Sequence, residues 1–348
     1  MKSNNYDYLI ITNLPAFYKI NLYNELSKRL NIKVIFMSNS SDIRNSDFID
    51  GEMNFEYEIL HDVSYEKRNK PLSLLKMIAV IFNNKFDKII FPGWELVELI
   101  PMMLLSKKEK NGIILESSIV ETITTGPLWL IKKLIIRNMG HAYPSGKLQS
   151  EILLQAGFNG EEHVTHGVGI PKRVMKEVIN KEFNNYKYLY VGRISEEKNL
   201  KFIVNEFNRN GKSLTIVGDG PQRSELESIS HSNITYTGYV NNADLGEVYR
   251  DHHIFILPSK SEPWGLVVEE ALSYGLPVIV SNHVGCYEDL VSRADTGIVF
   301  DLSDERSFAR ASCSLESNYD FYQKKVQAVD FSIRDQAQIN AYCLNDEK

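Results

Sequence analysis

From Tyr188 onward, short apolar runs alternate without interruption with helix-length amphipathic stretches, and this alternation restricts the chain to a parallel sheet flanked by helices. Tyr188–Val191, Leu214–Val217, Ile234–Tyr236 and Ile254–Leu257 read as strands; Leu200–Asn208, Gln222–Ser228 and Ala243–Arg250 read as the helices between them. The first half carries the same signal, with strands at Tyr8–Thr12, Lys33–Met37, Lys88–Phe91 and Gly112–Leu115 and helices at Ile20–Leu30 and Leu96–Leu105. At 348 residues the chain is too long for one ordinary core. The expectation is therefore α/β, with two Rossmann-like doubly wound domains over residues 1–170 and 171–348. The pattern breaks at Gly167-Val168-Gly169-Ile170-Pro171, which places a linker around Gly167–Asn185. In such sheets ligands bind outside the carboxyl ends of the strands.

The net charge of −6 falls entirely on the second half: residues 1–170 hold 19 basic and 19 acidic side chains, residues 171–348 hold 20 and 26. A nucleic-acid binder would need a basic surplus, so no nucleic acid is expected as a partner. Cys286, Cys313 and Cys343 are odd in number and far apart, which reads as reduced thiols in the cytoplasm. The polar start, Met1–Asp7, is no signal peptide, and no run approaches the roughly 20 apolar residues of a membrane-spanning helix.

The segment with most chemistry runs from Pro258 to Ala271 (PSKSEPWGLVVEEA) and reads as loop then helix between two strands. The helix start near Gly265 and Leu266 would aim free N–H groups and a positive dipole end at an anion. Glu262 in the loop and Glu270 on the helix could accept hydroxyl groups. Together these suit a nucleotide diphosphate that carries a sugar. One of the adjacent acids Glu269 and Glu270 reads as merely solvated. After the strand Tyr188–Val191, the turn Gly192-Arg193-Ile194-Ser195-Glu196-Glu197-Lys198 sets two cations where they could clamp a diphosphate. Gly218-Asp219-Gly220-Pro221 is either a close approach to ligand or a tight turn. The loop of Thr237–Val240 could hold the edge of a base.

These residues are similar to the signature of GT-B retaining glycosyltransferases, in particular glycosyltransferase family 4. Glu262 and Glu270 match its E-x7-E motif, flanked by Pro258-Ser259, Gly265-Leu266, Gly275-Leu276-Pro277-Val278 and Gly285. Gly192-Arg193…Glu197-Lys198 and Gly218-Asp219-Gly220-Pro221 match in order. The likeness is dense over the second half and thin over the first, where Ala142-Tyr143-Pro144-Ser145-Gly146 and Leu154-Gln155-Ala156-Gly157 contribute.

The resemblance implies two domains facing each other across a cleft, the first binding acceptor and the second the donor, with a final helix that can pack back on the first. It implies that Arg193 and Lys198 hold the diphosphate and stabilise the leaving nucleotide. Glu270 would take the ribose hydroxyls and Glu262 those of the sugar. Gly192, Gly218, Gly265 and Leu266 would line the phosphates, with Val240 near the base. The opening loop Asn13-Leu14-Pro15-Ala16-Phe17-Tyr18-Lys19 departs from the glycine pair of many members and resembles a Pro-x-Tyr-Arg-like subset, with Lys19 in place of arginine. Tyr18 and Lys19 thus fall on the acceptor side. Many members have a histidine where this chain has Glu116; Glu116 is the first-domain candidate for a catalytic or acceptor-orienting group, or else a helix cap or a solvated acid.

The implied reaction is retaining transfer of a sugar from a nucleotide-diphosphate sugar to a saccharide or lipid-linked (polyprenyl-linked) saccharide, in surface polysaccharide or lipopolysaccharide assembly. Charge building on the diphosphate would be met by the two cations. No cofactor and no metal are implied: an Asp-x-Asp motif is absent, and the eight histidines do not fall at metal-ligand spacing. His163 and His166 read as part of a short exposed strand, and His252-His253 as a helix end leading into a buried strand. The helix Gly126–Arg137, with Trp129, Lys132 and Lys133, reads either as buried with snorkelling lysines or as a basic amphipathic helix on an anionic membrane surface. The expected location is cytoplasmic, with the inner membrane face open to it. Rival readings are a sugar-nucleotide epimerase on the same architecture and a non-catalytic carbohydrate-binding subunit.

Overall fold

The computed structural model describes residues 5–44, 46–49, 51–172 and 185–343. Most of the expected linker, residues 173–184, lies outside the described residues. The chain divides into two compact units, Met1–Pro171 with Ser332–Lys348, and Lys172–Phe331.

In the first unit the strands are β1 (Asn5–Thr12), β2 (Ile32–Phe36), β3 (Glu56–Ile59), β4 (Lys85–Phe91), β5 (Asn111–Leu115), β6 (His141–Pro144) and β7 (Glu161–Glu162). All pair in parallel, in the order β3-β2-β1-β4-β5-β6-β7. Helices α1 (Phe17–Ser27), α2 (Lys70–Asn83), α3 (Ile100–Leu105), α4 (Gly126–Arg137) and α5 (Lys147–Ala156) supply the crossovers. Strand alternation sorts the core onto the two faces of the sheet. Leu9, Ile11, Ile35, Phe91 and Ile113 point to one, where Met77 of α2, Met103 of α3 and Ile135 of α4 cover them. Tyr8, Ile10, Val34, Ile90 and Ile114 point to the other, against Ile20, Leu22 and Tyr23 of α1.

The second unit repeats the scheme with β8 (Lys187–Val191), α6 (Leu200–Asn210), β9 (Ser213–Val217), α7 (Arg223–Ile229), β10 (Ile234–Gly238), α8 (Leu245–Arg250), β11 (Ile254–Leu257), α9 (Leu266–Ser273), β12 (Val278–Ser281), β13 (Gly297–Phe300), α10 (Ser307–Ser317) and α11 (Tyr319–Ala328). The parallel order is β10-β9-β8-β11-β12-β13. Helix α6 shows why these stretches fold as they do: Leu200, Ile203, Val204 and Phe207 are buried at helical spacing, and Gly211 ends the helix at φ +69°. In each unit strand order reverses between the first and fourth strands, β1/β4 and β8/β11, the place where open α/β sheets bind ligands.

The last helix, α12 (Phe331–Tyr342), belongs to the first unit. The Tyr8 hydroxyl donates to the Tyr342 carbonyl at 2.6 Å, and the Tyr342 ring stacks on Tyr143 at 4.7 Å between centroids. Such a ring pair contributes about 0.5–1.5 kcal/mol beyond its buried area. Expected elements hold to within a few residues, with two exceptions: Leu96–Leu105 splits into a 3-10 turn at Val97–Leu99 and α3, with Pro101 in its first turn, and His163–His166 lie beyond β7, which ends at Glu162, instead of forming a strand.

Candidate active site

The turn after β8 is built by glycine contacts. Gly192 sits at φ +154° and Gly218 at φ +131°, and a Cβ on Gly218 would lie 1.9 Å from the Gly192 carbonyl oxygen. The close approach that Gly218 permits is thus to the neighbouring turn. Ile194 N–H donates to Asp219 and Gln222 N–H to the Ile194 carbonyl, which locks the two turns together. The buried Tyr190 hydroxyl donates to the Arg193 carbonyl at 2.8 Å. Burial keeps that hydroxyl protonated, well above its ordinary range, with Glu262 and Glu197 adding to the effect. Arg193 itself is exposed, and among the described residues its guanidinium has no hydrogen-bond or ion-pair partner. Burial pushes Glu197 up, but the Ser195 hydroxyl, its own backbone N–H and the charges of Lys198 and Arg193 hold it below its ordinary value.

Lys198 and Glu262, brought from turns on adjacent strands β8 and β11, meet at 2.5 Å and are mostly buried, with 18% and 14% of each side chain exposed. The Glu262 loop is held rigidly. Gly285 N–H donates to the Glu262 carbonyl and Cys286 N–H to that of Trp264, while Lys260 N–H reaches back to Glu197. Ser259, fully buried, lies 3.5 Å from the Glu262 carboxylate. Gly265 at φ +102°, beside Leu257 at the end of β11, turns the chain into α9, so that Leu266 opens the helix with its first N–H groups unpaired within it.

Neither acid of α9 is idle. Glu269 is 2% exposed and accepts the Trp264 indole N–H at 2.7 Å, which corrects the expectation that one of the pair is merely solvated. Glu270 accepts the Tyr249 hydroxyl at 3.2 Å, and Tyr249 is itself stacked on Tyr274 at 4.9 Å. Val240 stands half-buried two residues beyond β10.

In the first unit the structure joins two residues selected separately from sequence. Lys19, on the first turn of α1, forms an ion pair with Glu116 just beyond β5. Glu116 is therefore neither a cap nor a solvated acid. Burial works against the Lys19 charge, but Glu116 and the Tyr23 and Tyr18 hydroxyls more than offset it and hold its pKa well above the usual lysine range. Tyr18, packed edge-on against Phe17 and Phe48, is pushed up to about 12 by burial despite the nearby lysine. At the β1/β4 reversal Asn13 donates to Glu95 at 2.8 Å, and the Asn13 amide oxygen has no partner among the described residues. Asn13 and Ser259 stand in the sequence only as parts of motifs, with no role of their own, and Glu95 and Tyr249 carry no motif; strand-end position is the available signal for Asn13 and Glu95.

Two further readings change. The histidines do meet in space: His141 Nδ1 and His163 Nε2 are 3.3 Å apart, beside Glu161. His163 is half-buried against Tyr143 and His141, not exposed, and burial followed by the nearby His141 pushes it down to about 4. Helix α4 buries Trp129, Ile135 and Ile136 but exposes Leu128, Leu130 and Leu134, so the reading of a buried helix does not hold. No helix among the described residues is long and apolar enough to cross a membrane.

Comparisons with known proteins bear on this geometry. Residues 171–329 match the family model for glycosyl transferases group 1. The sulfoquinovosyl transferase SQD2 of Arabidopsis thaliana is 32% identical over 121 residues, 33% of this chain and 24% of that protein's length. An uncharacterized 41.2 kDa protein in a cps region of Klebsiella pneumoniae is 26% identical over 251 residues, 66% of this chain and 69% of that one. The fold is that of HepE from Anabaena, solved with UDP and glucose, at a TM-score of 0.66 and 13% identity over 97% of both chains. Residues 171–329 are therefore a glycosyl transferases group 1 domain, in a chain with the GT-B glycosyltransferase fold.

Proposed function

We propose that the chain transfers a sugar, with retention, from a nucleotide-diphosphate sugar to a saccharide or lipid-linked saccharide acceptor in surface polysaccharide or lipopolysaccharide synthesis. The observation that carries this reading is the contact of Lys198 with Glu262 at the β8/β11 reversal, beside the unpartnered Arg193 and the start of α9. A pyrophosphate entering there would be met by Lys198, Arg193 and the α9 N–H groups. Drawing Lys198 onto phosphate loosens its grip on Glu262, which leaves that carboxylate to accept sugar hydroxyls. Glu270, steadied by Tyr249, is available to the ribose. Preorganised cations around a leaving group are worth more in a half-buried site than in water, because little reorganisation accompanies the charge as it grows. The two side chains supply that charge themselves, so the transfer proposed needs no metal at the diphosphate. The first unit would take the acceptor, with Tyr18, Lys19 and Glu116 on its side.

A membrane-borne acceptor gains support from the outer face of the first unit. Helix α2 lies beside the turn leading into α3, α3 packs beside α4, and α4 beside α5. Along this row Leu75, Phe82, Leu105, Leu128 and Leu154 are each more than 60% exposed. The half-buried Lys132 and Lys133 accompany them, Lys132 over the Trp94 ring. Clustered exposed apolar side chains with nearby cations suit the interface of an anionic bilayer.

A thermal-shift panel of UDP-, GDP- and ADP-sugars tests the donor reading, since a ligand bound only by the folded state raises the melting temperature. A shift with one donor, lost in Arg193→Ala and Lys198→Ala, is the expected result. Equal affinity in wild type and both variants overturns it. The anomeric configuration of the product, read by NMR, decides retention.

A further inference from the structure

A separate cluster lies at the far edge of the first unit's sheet. Strand β7 pairs with β6 so that His141 stands opposite Glu161, and the ladder continues as His163 N–H donates to the Ala142 carbonyl. His163 follows directly after β7 and continues its ladder, two residues from Glu161, so both side chains reach the side of His141. The edge strand can come this close because Gly160 has no Cβ: one would lie 2.3 Å from the Gly140 carbonyl oxygen.

Three atoms converge. His141 Nδ1 is 3.3 Å from His163 Nε2 and 3.3 Å from Glu161 Oε2, and those last two are 3.7 Å apart. These separations exceed the 2.7–3.2 Å of well-made N–H···O bonds. They lie close to the edge of a tetrahedron instead: with zinc–ligand bonds of about 2.0–2.2 Å, neighbouring ligand atoms stand about 3.3–3.6 Å apart, and only the Glu161–His163 separation is slightly longer. An octahedral site of the same bond length would bring them to about 3.0 Å.

We propose that His141, Glu161 and His163 form a binding site for a zinc-class divalent cation, which staples the edge strand β7 to β6. Two imidazoles and one carboxylate are a zinc donor set, with a fourth position left to water. Each ring is oriented from behind: the Glu109 backbone hydrogen-bonds His141, and Tyr143 packs against His163 at 5.2 Å. Both imidazoles are 10% exposed while Glu161 is 71% exposed, so the carboxylate marks the way in. The half-buried Lys88 ammonium acts on the same three groups and opposes a cation, an opposition that the Glu161 carboxylate offsets.

The test uses the full chain without a histidine tag and in a Cys313→Ser background, because Cys313 is an exposed free thiol. After chelator treatment, Zn²⁺ is titrated in competition with a chromophoric chelator. One Zn²⁺ per chain is expected, with affinity falling at least about 100-fold in His163→Gln and in Glu161→Gln. Glu161 is exposed enough that its substitution leaves the metal-free melting temperature unchanged, while the upward shift on adding Zn²⁺ disappears. The proposal is overturned if wild type binds Zn²⁺ no more tightly than Glu161→Gln, or if the metal raises the melting temperature of both alike.

Discussion

The two units set a lysine at the same distance past their first strand and then use it differently. Lys19 comes seven residues after the end of β1, Lys198 seven after the end of β8, and each pairs with a glutamate from beyond a later strand. In the second unit the glutamate comes from β11, the neighbour of β8, so the pair sits on the reversal point with the unpartnered Arg193 beside it. In the first unit it comes from β5, one strand further on, and a cavity of about 10 Å³ with Tyr23 and Tyr342 among its walls adjoins the pair. That space holds no more than one water. One scaffold thus carries a cation committed to the protein and a cation with spare charge close by. Strand topology, more than residue type, separates the two.

Substitutions at six positions sharpen or break this contrast. Lys198→Ala should cost the largest amount, about 10²–10³ in transfer rate, and should also lower stability, because it strands the Glu262 carboxylate, only 14% exposed. If Lys19→Met lowers donor affinity to the same degree, the contrast fails. Lys19→Met and Glu116→Gln should instead show up in chemical denaturation. Each leaves one charge of a pair partly buried and costs about 2 kcal/mol, less than a fully buried pair because Glu116 is 33% exposed. The double variant should recover part of that loss, and strict additivity would mean the pair is not coupled. Trp264→Phe removes the donor to buried Glu269 and should destabilise the second unit by about 1–2 kcal/mol while donor affinity changes only slightly. Smallest of all, Leu105→Ser with Leu130→Ser should weaken co-sedimentation with anionic vesicles several-fold, and unchanged binding would remove the membrane from the proposal.

How much of this could be read from residues alone differs between the units for a physical reason. In the second, strands and turns follow one another within a few residues, so chemistry stays near its own strand end; Ile254–Leu257 is a strand as expected, and the flanking glutamates fall where motif spacing puts them. In the first, helix α2 escaped notice because KPLSLLKMIAVIFN is apolar on nearly every side, with only Ser73, Met77 and Val80 buried, so no helical period stands out. Strand β3 is an exposed edge reading EYEI, equally without a burial signal. The His141–Glu161–His163 cluster was invisible to spacing because sheet register, not sequence distance, assembles it. A Glu-x-His step facing a histidine on the preceding strand was the available sign. The partnership of Lys19 with Glu116 was likewise unreadable, though both residues had been selected: 97 positions separate them, and only the order of strands brings them together.

The return of α12 to the first unit has a consequence for biosynthesis. As the ribosome releases the chain from its beginning, residues 1–171 emerge long before Tyr342, and until then Tyr8 lacks its carbonyl acceptor and Tyr143 its stacked ring. The second unit is contiguous and can close on itself as soon as it is made. The part of the molecule synthesised first is therefore the part completed last.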